Sequence, residues 1–311
     1  MKINNKYPVP GTLNVVIAIV QLILLCSILI AAGMVEGWLG LVGLAIGYGI
    51  VMNSAYAMVH EAEHNLLHDN QRVNNAFGVV LALFFPAPFH VIRQGHLGHH
   101  MRNRSDDEAF DIYFEGDNII LKQAQFYGIL TGMFWVMILL SNVIAAFYPQ
   151  MLSSESAYKK KFDRPTNALL ETLNPKYLVH IRVEAIAIFI IHGALMGIFH
   201  IPFWKYMTVL FGFGFMWSAM QYVHHYGTER DVQRGAVNLR TFALLDWIWL
   251  NHNWHLRHHL HPTVPWIYLP RIFEGEREQR DNMFIVYFKM WKGAQKSDKH
   301  VENRYPGKVI R

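Results

Sequence analysis

The amino-acid sequence predicts an all-α integral membrane protein: four transmembrane helices, further interfacial or re-entrant helices, and a histidine-rich cap on the cytoplasmic side. Three observations predict it. Apolar residues make up 52% of the 311-residue chain and charged residues only 16%, against roughly 25% in soluble domains. Two long apolar runs follow one another near the N-terminus. The chain also holds 18 histidines, eight of them in three clusters on one predicted membrane face.

The first run, 12–35, has no ionisable side chain except Cys26. It exceeds the roughly 20 residues that cross a hydrocarbon core. A cleaved signal peptide has a shorter apolar region and no second span behind it, whereas the run 38–59 follows after a few residues. Cys26 is the only cysteine, which excludes disulfides, iron–sulfur clusters and zinc ribbons. No low-complexity linker divides the chain, so residues 1–311 read as one domain.

The run 77–92 is short and broken by Pro86 and Pro88, the pattern of an interfacial or re-entrant segment. The runs 183–200 and 206–224 are joined by the tight turn "HIPFWK" and read as a transmembrane hairpin, its ends marked by Glu184 and Lys205. The connector "GMVEG" carries no Lys or Arg, and the hairpin turn carries only Lys205. Every other basic residue, from Lys2 onward, lies in segments that the positive-inside rule places in the cytoplasm. Were 126–148 to span fully, the basic loop "YKKKFDR" would fall outside. That segment is therefore expected to dip in and return, or to lie in the interface. Both termini are expected in the cytoplasm, at a membrane that reads as the bacterial inner membrane.

The histidines carry the chemistry. "HEAEH" holds His60 and His64, "HLGHH" holds His96, His99 and His100, and "HLRHH" holds His255, His258 and His259. A spacing of i, i+3, i+4 puts imidazoles on one side of a helical turn. Each doubled box reads as a metal half-site. Neutral imidazole suits Fe, Zn, Cu and Ni. Eight donors are too many for one zinc but fit two metals. Glu61, Glu63, Asp69, Asp106, Asp107 and Asp111 are candidates to accept the other ring N–H of these histidines.

The three boxes, in this order and at these membrane positions, resemble those of the membrane fatty-acid desaturase and hydroxylase superfamily. The late stretch "NHNWHLRHHLHPTVPWIYLP" is similar to that family's ending, and the resemblance covers roughly residues 12–270. It implies a non-haem di-iron centre, two Fe ions that use O₂ as co-substrate to remove hydrogen from an unactivated C–H bond. It also implies a ninth histidine on the last membrane helix, where "WSAMQYVHHYGTE" offers His224, the preferred ligand, or His225. Some members place an Asn four residues earlier; here those positions are Met220 and Gln221, a departure from the pattern. His68 extends the first box and is a further, weaker candidate ligand, read in preference as a hydrogen-bonding neighbour. His252 and His261 flank the last box as neighbours, while His180, His192, His200 and His300 read as structural.

No haem module, cysteine cluster or dinucleotide fingerprint supplies electrons. An external donor is therefore expected, a ferredoxin or b-type cytochrome with its reductase. The net charge of +5 suits an acidic partner or anionic membrane lipid. No nucleic-acid partner is expected. The substrate class is a fatty acyl or similar lipid, and the favoured reaction is desaturation. Fatty-acid or carotenoid hydroxylation and oxidative decarboxylation to a terminal alkene are the alternatives. A histidine-rich metal transporter or a di-haem cytochrome would place its histidines inside the spans.

Overall fold

A computed structural model describes residues 6–158, 163–272 and 280–310. Residues 159–162 of the basic loop, and Lys2, lie outside the described residues. The protein is mostly helical. Two helices open the chain, α1 (Gly11–Met34) and α2 (Trp38–Glu63), followed by α3 (Gln71–Phe84) and α4 (Phe89–Arg102). Strand β1 (Ile112–Tyr113) leads to α5 (Ile119–Leu130), α6 (Met133–Phe147) and α7 (Arg164–Thr172). The hairpin is α8 (Leu178–Ile198) and α9 (Phe203–Met220). Strand β2 (Asn238–Arg240) precedes α10 (Ala243–Ile248) and α11 (His255–Leu260). Strand β3 (Arg280–Asn282), α12 (Met283–Met290) and β4 (Gln295–Lys296) complete the order. Both small sheets are parallel pairs, β1 with β4 and β2 with β3.

Among the described residues, three helical segments are long and apolar enough to cross a membrane, Gly11–Met34, Trp38–Glu63 and Pro175–Ile198, or up to five if each of two bent helix pairs is one span, where four were expected. The fourth expected span, 206–224, falls on α9, which ends at Met220, four residues early. The helix α1 shows why such a segment belongs in lipid. It turns its amides inward, with Asn14 and Gln21 buried, and leaves Val16, Ile19, Val20 and Ile23 exposed. In water that arrangement would be inverted. Asn14 donates to the carbonyls of Leu66 and Leu67 at 3.2 and 3.0 Å and accepts from Trp266 Nε1 at 3.0 Å. One buried amide thus ties α1 to the loops after α2 and α11.

The two segments expected to be interfacial or re-entrant are bent. The pair α3–α4 turns by 101° across Phe85–Pro88, and α5–α6 turns by 90° across Thr131–Gly132. Pro86 and Pro88 lack the N–H that would continue α3. Gly132 has φ +91°, open to glycine at little cost. Helices α2 and α9 approach closely: a Cβ on Gly49 or Gly212 would meet the other helix, while Gly43 faces open space. Glu184 does not mark a helix end as expected. It sits inside α8, is buried, and meets His90 Nδ1 at 2.5 Å. The carboxylate also accepts from His90 N at 3.1 Å, so α8 runs through it and starts earlier than the apolar run does.

Candidate metal centre

The helix ends converge on one cluster of imidazoles. The last turn of α2 presents His60, and His64 caps that helix. Helix α4 carries His96, His99 and His100, and α11 carries His255, His258 and His259. His225 comes from the turn after α9. These nine side chains form two groups. In one, a nitrogen each from His60, His64, His96, His100 and His258 lies within 4.8 Å of all the others. In the other, His99, His225, His255 and His259 do the same.

A turn with this spacing can give ligands to one metal or to two adjacent ones, and the two doubled boxes each divide between the groups. In α4, the i, i+4 pair His96 and His100 joins the first group, while the i+3 residue His99 joins the second. In α11 the roles exchange: His255 and His259 join the second group and His258 the first. Each of these two boxes therefore serves both groups, whereas His60 and His64 of the first box serve only the first. Residues four apart share a helix face, and the residue between them is rotated from it by about 60°.

The distances suit a cation. Nε2 of His64 lies 2.8 Å from that of His96, which lies 3.1 Å from His100; His100 lies 2.9 Å from His258. In the second group, His99–His259, His259–His255 and His255–His225 are 3.3, 3.2 and 3.1 Å apart. Neighbouring donors at right angles on a metal with bonds of about 2.1 Å stand about 3.0 Å apart. A neutral imidazole has one donor and one acceptor nitrogen, so such rings cannot all satisfy one another. A positive ion would satisfy every lone pair at once. Burial disfavours the competing proton. It pushes His64 down to about 3, helped by Arg93 and His99. Burial and the surrounding imidazoles also hold His255, His258 and His259 well below the usual range.

The remaining ring nitrogens show how the rings are aimed. His225 Nδ1 sits 2.8 Å from the Gly235 carbonyl, and His99 Nδ1 3.1 Å from Glu108 Oε1. Burial alone would raise the Glu108 carboxyl, but Arg102 and His99 outweigh it and hold the group below its ordinary value. His96 Nδ1 stands 4.0 Å from Glu63. Among the described residues, Nδ1 of His64, His255, His258 and His259 is buried without a hydrogen-bond partner.

Several expected positions lie elsewhere. The ninth donor was expected at His224, but the second group takes His225; His224 Nε2 is buried without a partner, its ring 4.5 Å from that of His255. His68 joins neither group, because α2 stops at Glu63 and Asn65 takes φ +62°, which breaks the helical phase. Its Nδ1 accepts from Asn70 N at 2.9 Å instead. Of the named carboxylates, only Glu63 approaches a gathered histidine. Glu61 accepts from Trp266 N, Asp111 holds Arg104 and Tyr222, and Asp107 accepts from Asn303. Asp106 binds Arg230 and His300, and Asp69 is exposed. Glu108 was missed although it stands in the same acidic run "SDDEAFD"; its place nine residues after His99 was the available signal. His252 lies against both groups, its ring 4.8 Å from His60 and 5.4 Å from His255.

A cavity of about 900 Å³ opens onto His64, His100 and His259 and is otherwise lined largely by apolar side chains, among them Leu97, Met101 and Ile310. It reaches donors of both groups.

No curated protein matches the chain. The family model described as fatty acid desaturase matches residues 36–291. That span takes in α2, all three histidine boxes and His225, and on it the chain belongs to the fatty acid desaturase family.

Proposed function

We propose that the protein is a membrane oxidoreductase that desaturates a fatty acyl chain at a centre of two iron ions. The observation that carries this reading is the gathering of nine imidazoles into one group of five and one of four. His60, His64, His96, His100 and His258 would hold one ion, and His99, His225, His255 and His259 the other. Bound there, the ions would supply O₂ activation and the removal of hydrogen from an unactivated C–H bond.

The chain's own residues do the rest. Burial favours the neutral form of His64, His96, His100, His225, His255, His258 and His259 and leaves their lone pairs free. Glu108 and the Gly235 carbonyl fix two rings by accepting their Nδ1–H, which also raises the basicity of Nε2. The cavity of about 900 Å³ would admit a long acyl chain to a place bordered by donors of both groups. The apolar side chains that line it would hold the acyl chain, and the chain's fixed position would select the carbon that reacts. The sequence carries no haem-module, cysteine-cluster or dinucleotide-binding pattern, so electrons would come from an external ferredoxin or b-type cytochrome with its reductase. The site and both termini would face the cytoplasm of a bacterial inner membrane. A metal-transport reading is disfavoured, because the donors gather at helix ends and not along a path through the spans.

The test is metal analysis joined to lipid analysis. The wild type, expressed with a ferredoxin and its reductase, should hold two irons per chain without haem and yield an unsaturated acyl product. His258→Ala, which leaves the first group four donors, should lose product and bind iron there more weakly. Zinc in place of iron, or a variant with full iron and full turnover, would overturn the assignment.

A further inference from the structure

Helix α10 is inside out for a segment that follows the last candidate span. Its carboxylate is buried: Asp246 accepts from Thr241 Oγ1 at 2.5 Å, from Asn253 Nδ2 at 2.8 Å and from Arg280 at 2.6 Å. Its large apolar side chains face outward, with Phe242, Leu244 and Trp247 exposed by 70%, 69% and 66%. Helix α12 repeats the pattern. Met283, Val286 and Met290 pack inward, while Phe284, Ile285 and Phe288 are exposed. The parallel pairing of β2 with β3 sets the starts of the two helices side by side, Arg240 opposite Asn282. The Phe242 and Phe284 rings stand 5.9 Å apart.

This patch is continuous with more exposed apolar surface. Ile119, Ile120 and Leu121 at the start of α5 are exposed. The same helix is bonded to the segment after α12, through Gln123 to the Ala294 carbonyl at 2.7 Å and Tyr127 to that of Trp291 at 3.1 Å. Depth is set by α2. Ser54 Oγ donates to the Ile248 carbonyl at 2.5 Å, and Trp249 Nε1 donates to that of Ile50 at 3.2 Å. Ser54 precedes His60 by six residues, which along a helix is about 9 Å toward the membrane interior. The end of α10 therefore lies deeper than the metal centre. Monomeric soluble surfaces rarely expose so much contiguous apolar area.

From this geometry we infer that α10, α12 and the start of α5 form a lipid-facing collar that dips into the leaflet on the histidine side of the bilayer. Arg240, Lys289 and Lys292, all exposed, border the patch and would meet anionic phospholipid headgroups there. Aromatic and apolar side chains beside lysines are the make-up of a helix lying in the headgroup–acyl boundary. The occupant is thus a phospholipid leaflet, continuous with the lipid around α1 and α2.

Site-directed spin labelling of the full chain in nanodiscs tests this. In a Cys26→Ser background, single cysteines would be introduced as Leu244→Cys and Phe288→Cys, with Lys296→Cys as the aqueous control. Trp247→Cys and Ile285→Cys stand in should either of the first pair fail to fold. Labels on the collar should be more accessible to oxygen than to a water-soluble nickel chelate, at depths of about 5–10 Å; the control should show the reverse. In discs containing phosphatidylglycerol, the pair Lys289→Glu and Lys292→Glu should reduce that depth, with no change in pure phosphatidylcholine. Collar labels accessible to the chelate would overturn the inference, as would labels shielded from both reagents, which would mean that a second protein surface covers the patch. A depth indifferent to the lysine changes in anionic discs would overturn the headgroup contact. None of these readings depends on iron or on turnover.

Discussion

His225→Ala and His224→Ala form the most informative pair of variants, because the two residues are adjacent and the structure gives them opposite roles. His225 Nε2 stands 3.1 Å from His255 Nε2, and its Nδ1 is anchored 2.8 Å from the Gly235 carbonyl. The second group has four donors, so His225→Ala leaves three. Loss of an outer partner alone costs roughly 10–100-fold in metal affinity. Loss of a direct donor should exceed that, enough to empty the second site during purification while the five-donor site stays filled. The expected iron content falls from two per chain to one, and turnover disappears. His224→Ala removes a buried ring that belongs to neither group. It should keep two irons and lower Tm by only a few degrees, as expected of a cavity costing about 1–3 kcal/mol. Iron content per chain, set beside thermal unfolding in detergent, reads both variants. Two irons retained by His225→Ala, with one lost by His224→Ala, would refute the grouping.

Two further outcomes follow from the surroundings of the cluster. Glu108→Gln keeps the shape but weakens the acceptor for His99 Nδ1 and leaves Arg102 facing a neutral group, 3.1 Å away from the atom that held its charge; iron in the second site should bind roughly 10–100-fold more weakly, measurable by competition with a chelator, and equal affinities would remove Glu108 from the site. The metal-free protein should respond to acid in a defined window. Burial pushes His64 to about 3 and His252 to about 4, against about 6.5 in an unfolded chain. Below pH 6.5 the unfolded state takes up protons that the folded state refuses, so stability falls as pH drops from about 6.5 toward 4 and is flat above. Unfolding temperatures of stripped protein across pH 8 to 4.5 check this, and a level profile would contradict the burial of these rings.

Much of this was legible in the chain because the patterns involved are local. The i, i+3, i+4 spacing of two boxes fixes imidazoles on one side of a turn whatever the helix packs against, and eight of the nine gathered histidines lie in the three boxes. The ninth was not fixed in that way. His224 and His225 follow the end of α9, in a turn where helical phase no longer tells which ring points inward. The same limit left His68 open between ligand and hydrogen-bonding neighbour, since it continues the phase of α2 only on paper; the left-handed Asn65 sends it away. Glu184 looked like a helix end because its partner, His90, lies 94 residues away. The outward faces of α10 and α12 were hidden for a different reason. Helices of six and eight residues give no long apolar run, and only tertiary contacts show which of their side chains meet lipid.

The one letter by which "HLGHH" and "HLRHH" differ shows how the two copies are used. The middle position, i+2, points away from the imidazoles in each, so its residue is set by what lies behind the helix. Behind α11 is room for a cation: Arg257 is buried, donates to the Leu269 carbonyl at 2.5 Å and lies 4.2 Å from the Trp254 ring centre. Behind α4 there is none. A Cβ at Gly98 would overlap Arg102 Nη1 and stand 2.8 Å from Thr172 Cγ2. Thr172 is held by its bond to the Leu169 carbonyl at 2.6 Å, so Arg102 would have to yield. Arg102 pairs with Glu108, and Glu108 aims His99. Gly98→Ala therefore reaches the second group through three contacts, without touching a donor. It should resemble Glu108→Gln, with weakened iron binding in one site only, and should not resemble a general loss of fold, because alanine favours the helix by up to about 1 kcal/mol over glycine. Gly98→Ala combined with Glu108→Gln should be little worse than either alone, since both act through one carboxylate. Full additivity of the two losses would break that chain of contacts and leave Gly98 as a packing residue only.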